Sequence, residues 1–311
     1  MIGVSERVAA LLSALRPRQW TKNFIVFIGL VFSQRLLSIP SLDRALIAFI
    51  AFCFASSSIY LLNDLFDLDK DRRHPVKSQR ALASGKLPVS WALATISLLV
   101  LICAGLTLLI FYLPFGSQPD IFAPGGSNVL FALCIATYLI LMVLYNLRLK
   151  HVVLLDVFII AAGFVLRILA GVVVIPVHIS PWLYLVTIFL SLFLALGKRR
   201  HELILLQAQA SSHRMILKEY SLPMLDQMIT IVLSGTLMAY SLYTFQGLTG
   251  SHHLMATIPV VLYGLFRYLY IIYMRKEGGS PEEVLLRDRH VLAAVVLCVI
   301  IVIVVLYILP R

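Results

Sequence analysis

Long apolar runs separated by short polar segments fill most of this chain. About 20 apolar residues, wound as an α-helix, cross the roughly 30 Å of hydrocarbon in a bilayer. Nine runs come close to that length, at residues 23–39, 43–62, 90–113, 128–147, 152–175, 182–197, 226–246, 253–273 and 290–309. Gln34 and Arg35 interrupt the first run and make it the weakest. The pattern predicts an all-α, polytopic membrane protein with nine transmembrane helices.

The composition supports the membrane interpretation. Of the 311 residues, 60% are hydrophobic and only 13% are charged, whereas a soluble domain has about 25% charged residues. The length suits a single membrane domain over residues 1–311. The four cysteines lie inside apolar runs without CxxC spacing, which indicates packing residues and neither a metal site nor a disulfide framework. They are Cys53, Cys103, Cys134 and Cys298.

The basic residues predict an orientation in the membrane. With a cytoplasmic amino terminus, 21 of the 26 Lys and Arg residues fall on the cytoplasmic side and three on the outer side. Such an excess is typical of cytoplasmic loops, so the net charge of +11 indicates orientation and no nucleic-acid partner. We expect a protein integral to the cytoplasmic (inner) membrane, with its active site on the cytoplasmic side. The long cytoplasmic connections 63–89 and 198–225 are the candidate active-site loops.

An acidic stretch directly follows the second apolar run. It places four carboxylates within eight residues, in a chain that has only 15 acidic residues. On an α-helix Asp64, Asp67 and Asp71 would lie within about 60° of one face, with Asp69 on the opposite side. Carboxylates crowded on one face repel one another unless a cation lies between them, and Mg²⁺ usually binds one or two carboxylates plus phosphates. Asp64, Asp67 and Asp71 are therefore the predicted catalytic Mg²⁺ ligands.

Cationic and polar residues surround this stretch. A guanidinium can hold phosphate oxygens in a bidentate fork, and a lysine acts as a point charge. The combination suits a substrate with a metal-bound diphosphate and other anionic groups, although a solvated, salt-bridged loop would look similar. The candidate substrate-binding residues here are Asn63, Arg72, His74, Lys77 and Arg80.

Three further groups are candidate substrate-binding residues. Arg167 lies about three turns into the fifth run, and an arginine within a membrane span indicates function unless it forms a structural ion pair, with Asp156 as its candidate partner. Lys198, Arg199 and Arg200 form either a phosphate clamp or a cytoplasmic anchor. Lys22 either contacts an anion or lies at the interface beside Trp20. The remaining candidates in these groups are Tyr145 and Lys150, where the fourth and fifth runs meet.

The acidic stretch resembles a known family. Asn63, Asp64, Asp67 and Asp71 match NDxxDxxxD, and the stretch continues as HPxKxxRxxASG from His74. Both are similar to the UbiA superfamily of intramembrane prenyltransferases, which implies nine transmembrane helices around a central cavity. Quinone-type members carry a second acidic motif, DxxxD, after the fourth span. In the corresponding region of this chain, 145–156, Asp156 is the only acid.

The chain lacks the second DxxxD motif and has a basic run at 198–200 and the segment 16–23. Together these features resemble the decaprenyl-phosphate phosphoribosyltransferase branch of the superfamily. This resemblance implies a pentosyltransferase, with Mg²⁺-bound phosphoribosyl pyrophosphate as donor. A polyprenyl phosphate would be the acceptor, pyrophosphate would be released, and the product would lead toward cell-wall arabinan. The sequence leaves the oligomeric state open, with a homo-oligomer as one possibility.

Two alternatives remain open. A prenyltransferase could move a prenyl group from its diphosphate to an aromatic or haem acceptor, but the missing DxxxD counts against it. A lipid-phosphate or anion transporter is an alternative from another class. Its charged site is expected near the bilayer midplane, whereas the acidic stretch lies at the end of a span.

Overall fold

The computed structural model describes residues 4–115, 120–122, 125–178, 180–208, 219–246, 252–275, 278–279 and 281–309. Within these ranges the regular structure is entirely helical. The α-helices are α1 (Val4–Ala14), α2 (Ile28–Phe32), α3 (Ile39–Phe66), α4 (Leu68–Arg72), α5 (Val89–Tyr112), α6 (Gly126–Leu147), α7 (Leu155–Val174), α8 (Pro181–Ala208), α9 (Leu222–Phe245), α10 (Ile258–Tyr273), α11 (Pro281–Arg287) and α12 (Arg289–Ile303). Short 3₁₀ helices cover Pro17–Phe27, Lys77–Gln79, Leu149–His151 and His252–Thr257, and a π-helical turn covers Val304–Ile308.

The all-α membrane class is confirmed, with one fewer span than expected. Among the described residues, eight helical segments are long and apolar enough to cross a membrane. They are Ile39–Phe66, Val89–Tyr112, Gly126–Leu147, Leu155–Val174, Pro181–Leu205, Leu222–Phe245, His252–Tyr273 and Arg289–Ile308. The chain is therefore an integral membrane protein.

The run at 23–39 is the predicted span that forms no continuous helix. A 3₁₀ helix covers its first part, the five-residue α2 follows, and Gln34 adopts a left-handed φ of 59° that ends the helical path. The 3₁₀ segment instead packs closely on α7. A Cβ at Gly171 would lie 2.0 Å from the carbonyl oxygen of Val26, so only glycine permits this approach.

The predicted loop 198–225 begins later than expected. Helix α8 continues to Ala208, and residues 209–218 lie outside the described residues. Lys198, Arg199 and Arg200 are therefore helical residues and do not lie in a loop. An i,i+3 ion pair between Arg199 and Glu202 supports the added turns.

The chain packs as two compact units, while a single domain over 1–311 stays a prediction. Unit 1 comprises Met1–Leu149 and Leu166–Val177. Its central helix is α3, which packs against the 3₁₀ helix at 17–27, α5 and α6. Small side chains let membrane helices approach closely, and α3 buries several of them completely. These are Ala45, Ala48, Ala51, Ala55 and Ser57.

Arg44 ties together several helix ends in unit 1. Its guanidinium donates to the backbone carbonyls of Val174 (2.5 Å), Ile110 (3.0 Å) and Leu113 (2.7 Å) and to the side-chain oxygen of Asn128. Carbonyls in the last turn of a helix have no partner within that helix. One buried side chain therefore satisfies acceptors at the ends of α5 and α7 and holds them to α3.

Unit 2 comprises Lys150–Val165 and His178–Arg311, with α8 and α9 as its most closely packed helix pair. Asp288 caps α12 by accepting from the backbone N–H groups of His290 and Val291. The same carboxylate pairs with Arg267 at 2.8 Å and Arg275 at 3.4 Å. The hydrogen bond from Arg267, opposed by burial and helped by the cap, lowers the pKa of Asp288 to about 2. The entry to α12 is thus fixed by a carboxylate that stays ionised.

We predict that Arg44→Met destabilises the protein strongly. Four acceptors would lose their donor, and each buried acceptor left without a partner costs about 1–3 kcal/mol. The midpoint of thermal unfolding in detergent should fall by at least about 5 °C. Arg287→Met, at a side chain that is 79% exposed, is the matched control and should change little. Equal shifts for the two variants would remove Arg44 from this role.

Candidate active site

The acidic stretch is divided between two helices. Helix α3 ends at Phe66, Asp67 adopts φ −94° and ψ 8°, and α4 begins at Leu68. The single continuous helix assumed for the stretch is therefore wrong. Asp64 on α3 and Asp71 on α4 nevertheless turn toward the same place, and each is only 4% exposed.

One arginine bridges these two carboxylates. Nη1 of Arg80 donates to Oδ1 of Asp64 at 3.0 Å and to Oδ2 of Asp71 at 2.7 Å. Arg80 is positioned by the turn before it, where Nδ1 of His74 accepts from the backbone N–H groups of Val76 and Lys77. The local role of His74 is thus to shape the turn that presents Arg80.

A buried apolar cluster fixes the segment that follows. Leu82 and Leu87 are 2% and 1% exposed and pack with Leu61 of α3. The connection between α4 and α5 is therefore held onto unit 1 by burial of apolar surface. That packing keeps Arg80 against the two carboxylates.

Arg16 is a member of the site that sequence reasoning missed. Its Nη2 lies 2.5 Å from Oδ1 of Asp64, and its guanidinium lies 5.1 Å from the ring centroid of Tyr60. The backbone of Arg16 is left-handed, with φ 54°. The segment 16–23 suggested an anion site, but an ion pair across 48 residues leaves no local spacing pattern.

The remaining predicted residues of the acidic stretch are less enclosed. Asn63, Asp67 and Lys77 are half-buried. Asp69, which the spacing placed on the opposite side, has a side chain that is 84% exposed and lies 3.7 Å from Arg72. The structure thus brings together Asp64, Asp71 and Arg80 and leaves Arg72 at the surface.

The donor set fits Mg²⁺ in the way this ion usually binds. Within the described part of the chain, no group of three His, Cys, Asp or Glu residues could hold a metal ion. Mg²⁺, however, is generally held by one or two carboxylates together with substrate phosphates. Asp64 and Asp71 already share one cationic nitrogen, so they are the two carboxylates best placed for the ion.

A second polar group in unit 1 surrounds Arg167. Its Nε donates to Oδ1 of Asn23 at 2.7 Å and its Nη2 to the hydroxyl of Tyr138 at 2.9 Å. The guanidinium also lies 4.7 Å from the centroid of the Tyr138 ring. The predicted residue Arg167 is thus held by Asn23 and Tyr138, while Lys22, next to Asn23 in the chain, is half-buried.

The suggested ion pair between Asp156 and Arg167 is wrong. Eleven residues of α7 separate them, which is about 16 Å at 1.5 Å per residue. Asp156 is fully buried in unit 2 instead, where Nε of Arg199 lies 2.7 Å from its Oδ2. The hydroxyl of Tyr220 donates to Oδ1 of Asp156 at 2.7 Å. Burial, together with this hydrogen bond, raises the pKa of Tyr220.

Arg199 is as deeply buried as its partner, at 1% exposure, and also pairs with Glu202. Taking charges out of water is costly unless they are paired. Arg199 therefore serves first to neutralise Asp156 and Glu202, and a phosphate contact would require this network to open. Direct substrate binding by Asp156 and Arg199 stays a prediction.

The other cations of unit 2 have different surroundings. Arg200 lies 2.7 Å from Oδ1 of Asp226 and packs over the ring of Tyr273. Lys150 is buried, whereas Lys198 is half-buried. In unit 1, Tyr145 is half-buried near the end of α6. Phosphate binding by these residues likewise stays a prediction.

Comparison with known proteins identifies the family of the chain. Residues 23–286 match the model of the UbiA prenyltransferase family. The chain belongs to this family. The matched region contains Asp64, Asp71, Arg80 and Asp156, while Arg16 lies before it.

Two similar proteins carry a more specific name. A protein of Corynebacterium glutamicum named decaprenyl-phosphate phosphoribosyltransferase is 32% identical, over 96% of this chain and 87% of that protein. A protein of Mycobacterium tuberculosis with the same name is 30% identical, over 91% of this chain and 89% of that protein. The similarity therefore extends well beyond the acidic stretch.

Solved structures share the UbiA fold. A UbiA homologue from Archaeoglobus fulgidus bound to GPP and Mg²⁺ has a TM-score of 0.68 at 17% identity, covering 94% of this chain and 96% of that chain. A digeranylgeranylglyceryl phosphate synthase has a TM-score of 0.64 at 18% identity, covering 98% and 100%. At these identities the likeness concerns the fold.

Proposed function

We propose that this UbiA-family protein transfers 5-phosphoribose from phosphoribosyl pyrophosphate to a polyprenyl phosphate and releases pyrophosphate. The observation that carries the proposal is the carboxylate pair Asp64 and Asp71, bridged by Arg80, in a chain similar over most of its length to decaprenyl-phosphate phosphoribosyltransferases. The product would be a precursor of cell-wall arabinan, as those names suggest. Mg²⁺ is the proposed cofactor, held by Asp64 and Asp71, with Asp67 as a further ligand.

The charges of the site suit a small, highly anionic donor. Two carboxylates would hold the metal-bound diphosphate, while Arg16 and Arg80 lie within reach of the same atoms. Guanidinium groups bind phosphate oxygens in charge-assisted, bidentate geometry. Phosphoribosyl pyrophosphate carries a diphosphate at C1 and a further phosphate at C5, so it offers anions to both kinds of group. Lys77 and Asn63 are proposed to contribute additional contacts.

The reaction requires one bond to form and one to break. A phosphate oxygen of the lipid attacks C1 of the ribose, and the bond from C1 to the pyrophosphate oxygen breaks, with its electron pair leaving on pyrophosphate. Bound Mg²⁺ supplies charge stabilisation for this leaving group. Arg16 and Arg80 add positive charge where negative charge develops. The lipid phosphate is already anionic near neutral pH, so no dedicated general base is required.

The region after α6 supports a lipid acceptor over a lipid diphosphate donor. Its acid, Asp156, is buried against Arg199 and accepts from Tyr220. The side chain of Arg199 is only 1% exposed, whereas those of Arg16 and Arg80 are 27% and 29% exposed. Asp156 is therefore less suited than Asp64 to give up its partner and hold a second metal-bound diphosphate. Lys150 and Lys198, together with Arg200, are proposed to provide positive charge for phosphate groups in unit 2.

The location of the reaction follows from the charge distribution of the sequence. We propose that the protein resides in the cytoplasmic membrane, with its amino terminus and the acidic stretch on the cytoplasmic side. Phosphoribosyl pyrophosphate is a soluble, charged molecule, so a site at the cytoplasmic end of α3 would be open to its supply. The polyprenyl chain would remain in the bilayer.

The competing function is prenyl transfer from a prenyl diphosphate. One observation favours it, namely the shared fold with a UbiA homologue solved with GPP and Mg²⁺. The same two carboxylates could hold that diphosphate, since the metal–diphosphate unit is common to both donors. The two proposals differ in which substrate carries the diphosphate.

Substrate replacement tests the function directly. Purified full-length protein, supplied with Mg²⁺, polyprenyl phosphate and phosphoribosyl pyrophosphate labelled in the ribose, should convert the label into an organic-extractable lipid. Polyprenol without the phosphate is the matched control and should give no product. Label transfer from prenyl diphosphate to hydroxybenzoate, without any phosphoribosyl lipid, would support the competing function and contradict ours.

Two aspartates in the same stretch provide a matched comparison. Asp71→Asn should lower the rate of phosphoribosyl transfer by at least about a hundredfold, since it removes a charge that would hold the metal and the leaving group. Asp69→Asn changes the same charge at an exposed position and should stay within about twofold of wild type. Initial rates under saturating Mg²⁺ measure both variants. Similar losses at the two positions would place the effect in the overall charge of the loop.

A further inference from the structure

Arg16 and Arg80 form ion pairs with the carboxylates that would bind a divalent cation. Oδ1 of Asp64 receives both Nη2 of Arg16 at 2.5 Å and Nη1 of Arg80 at 3.0 Å. The same Nη1 of Arg80 also reaches Oδ2 of Asp71 at 2.7 Å. A single cationic nitrogen thus contacts both carboxylates that would hold a divalent cation.

The charges of these four side chains already balance. Two carboxylates face two guanidinium groups, and both aspartates are 4% exposed. A divalent cation added alone would leave two net positive charges in a poorly hydrated place, which is costly. A cation that arrives with a diphosphate brings its own negative charge and offers the arginines new partners.

We propose that Arg16 and Arg80 exchange partners when substrate binds. Their guanidinium groups move from the carboxylates of Asp64 and Asp71 to the phosphate oxygens of the metal–diphosphate complex. Before substrate binds, the two arginines supply the positive charge that the cation would otherwise supply. Metal alone therefore binds weakly, and metal with diphosphate binds well. This inference rests on the proposed function for the identity of the diphosphate, but the exchange of partners does not depend on it.

Arg16 is built for such an exchange. It links α1 to the 3₁₀ helix at 17–27 and precedes Pro17, yet its φ of 54° is left-handed. A non-glycine residue in this conformation is held there by its surroundings. Here those include the ion pair with Asp64 and the ring of Tyr60 at 5.1 Å. Its side chain is 27% exposed, against 5% for the side chain of Asp64, so the guanidinium can turn toward an incoming anion.

The exchange predicts opposite effects of one substitution on two affinities. Mn²⁺ replaces Mg²⁺ as the probe, and free Mn²⁺ is followed by electron paramagnetic resonance on full-length protein in detergent. Arg16→Gln should bind Mn²⁺ alone about tenfold more tightly, since a competing charged hydrogen bond to Asp64 is lost. With phosphoribosyl pyrophosphate present, the same variant should bind Mn²⁺ about tenfold more weakly than wild type. Arg16→Lys retains the charge and should stay near wild type for Mn²⁺ alone.

Two further variants keep the test decisive. Arg18→Gln removes an exposed arginine two residues away and should change neither affinity. Arg80→Gln removes the bridging guanidinium. Like Arg16→Gln, it should bind Mn²⁺ alone more tightly and Mn²⁺ with phosphoribosyl pyrophosphate more weakly, and it provides the test if Arg16→Gln folds poorly. Weaker binding of Mn²⁺ in both conditions, or no change in either, would overturn the exchange.

Geranyl diphosphate in place of phosphoribosyl pyrophosphate separates this inference from the proposed function. If only geranyl diphosphate strengthens Mn²⁺ binding, and Arg16→Gln still shows opposite effects, the exchange stands and the donor assignment fails. If phosphoribosyl pyrophosphate strengthens Mn²⁺ binding in wild type without opposite effects in the variant, the donor assignment stands and the exchange fails.

Discussion

Asp64 is an ionisable carboxylate that is almost fully buried at the end of a membrane-spanning helix, and its environment must neutralise it. Two guanidinium groups do so, from segments before and after α3 in the chain. This requirement holds the amino-terminal segment, the end of α3 and the connection to α5 together in unit 1. The helices, the turn at His74 and the buried leucines all serve to place those charges. The proposed metal–diphosphate site rests on that arrangement, because charges that neutralise each other can also be exchanged for those of a substrate.

A buried carboxylate must also be neutralised in unit 2, but there its partner is itself buried. Asp156 and Arg199 are both buried, and they contact Tyr220, which is 4% exposed, and Glu202, whose side chain is 25% exposed. A buried pair with additional hydrogen bonds is costly to break. The acid after α6 thus contributes to the structure of its unit. This difference between Asp64 and Asp156 is the physical basis for assigning the diphosphate to the soluble donor and the monophosphate to the lipid.

The features that repeat along the chain were predictable from sequence, and those that join distant segments were not. Apolar runs predicted the membrane helices, because span length is set by bilayer thickness. The interrupted run at 23–39 was overestimated, since the left-handed turn at Gln34 and the packing of Val26 on Gly171 depend on tertiary contacts. The spacing of Asp64 and Asp71 indicated a shared site. The contact of Arg16 with Asp64 lay beyond any local pattern, and the partner of Asp156 was misassigned because the candidate on its own helix was favoured.

The most direct test of this account is the position of the cation itself. An experimental structure of the full-length protein with Mn²⁺ and phosphoribosyl pyrophosphate, with the ion located by its anomalous scattering, would show which atoms bind it. We predict Mn²⁺ bound to the carboxylates of Asp64 and Asp71, in the position now taken by Nη1 of Arg80, with Arg16 and Arg80 on phosphate oxygens. An ion located away from these carboxylates, with Arg80 still bridging them in the presence of bound substrate, would contradict it.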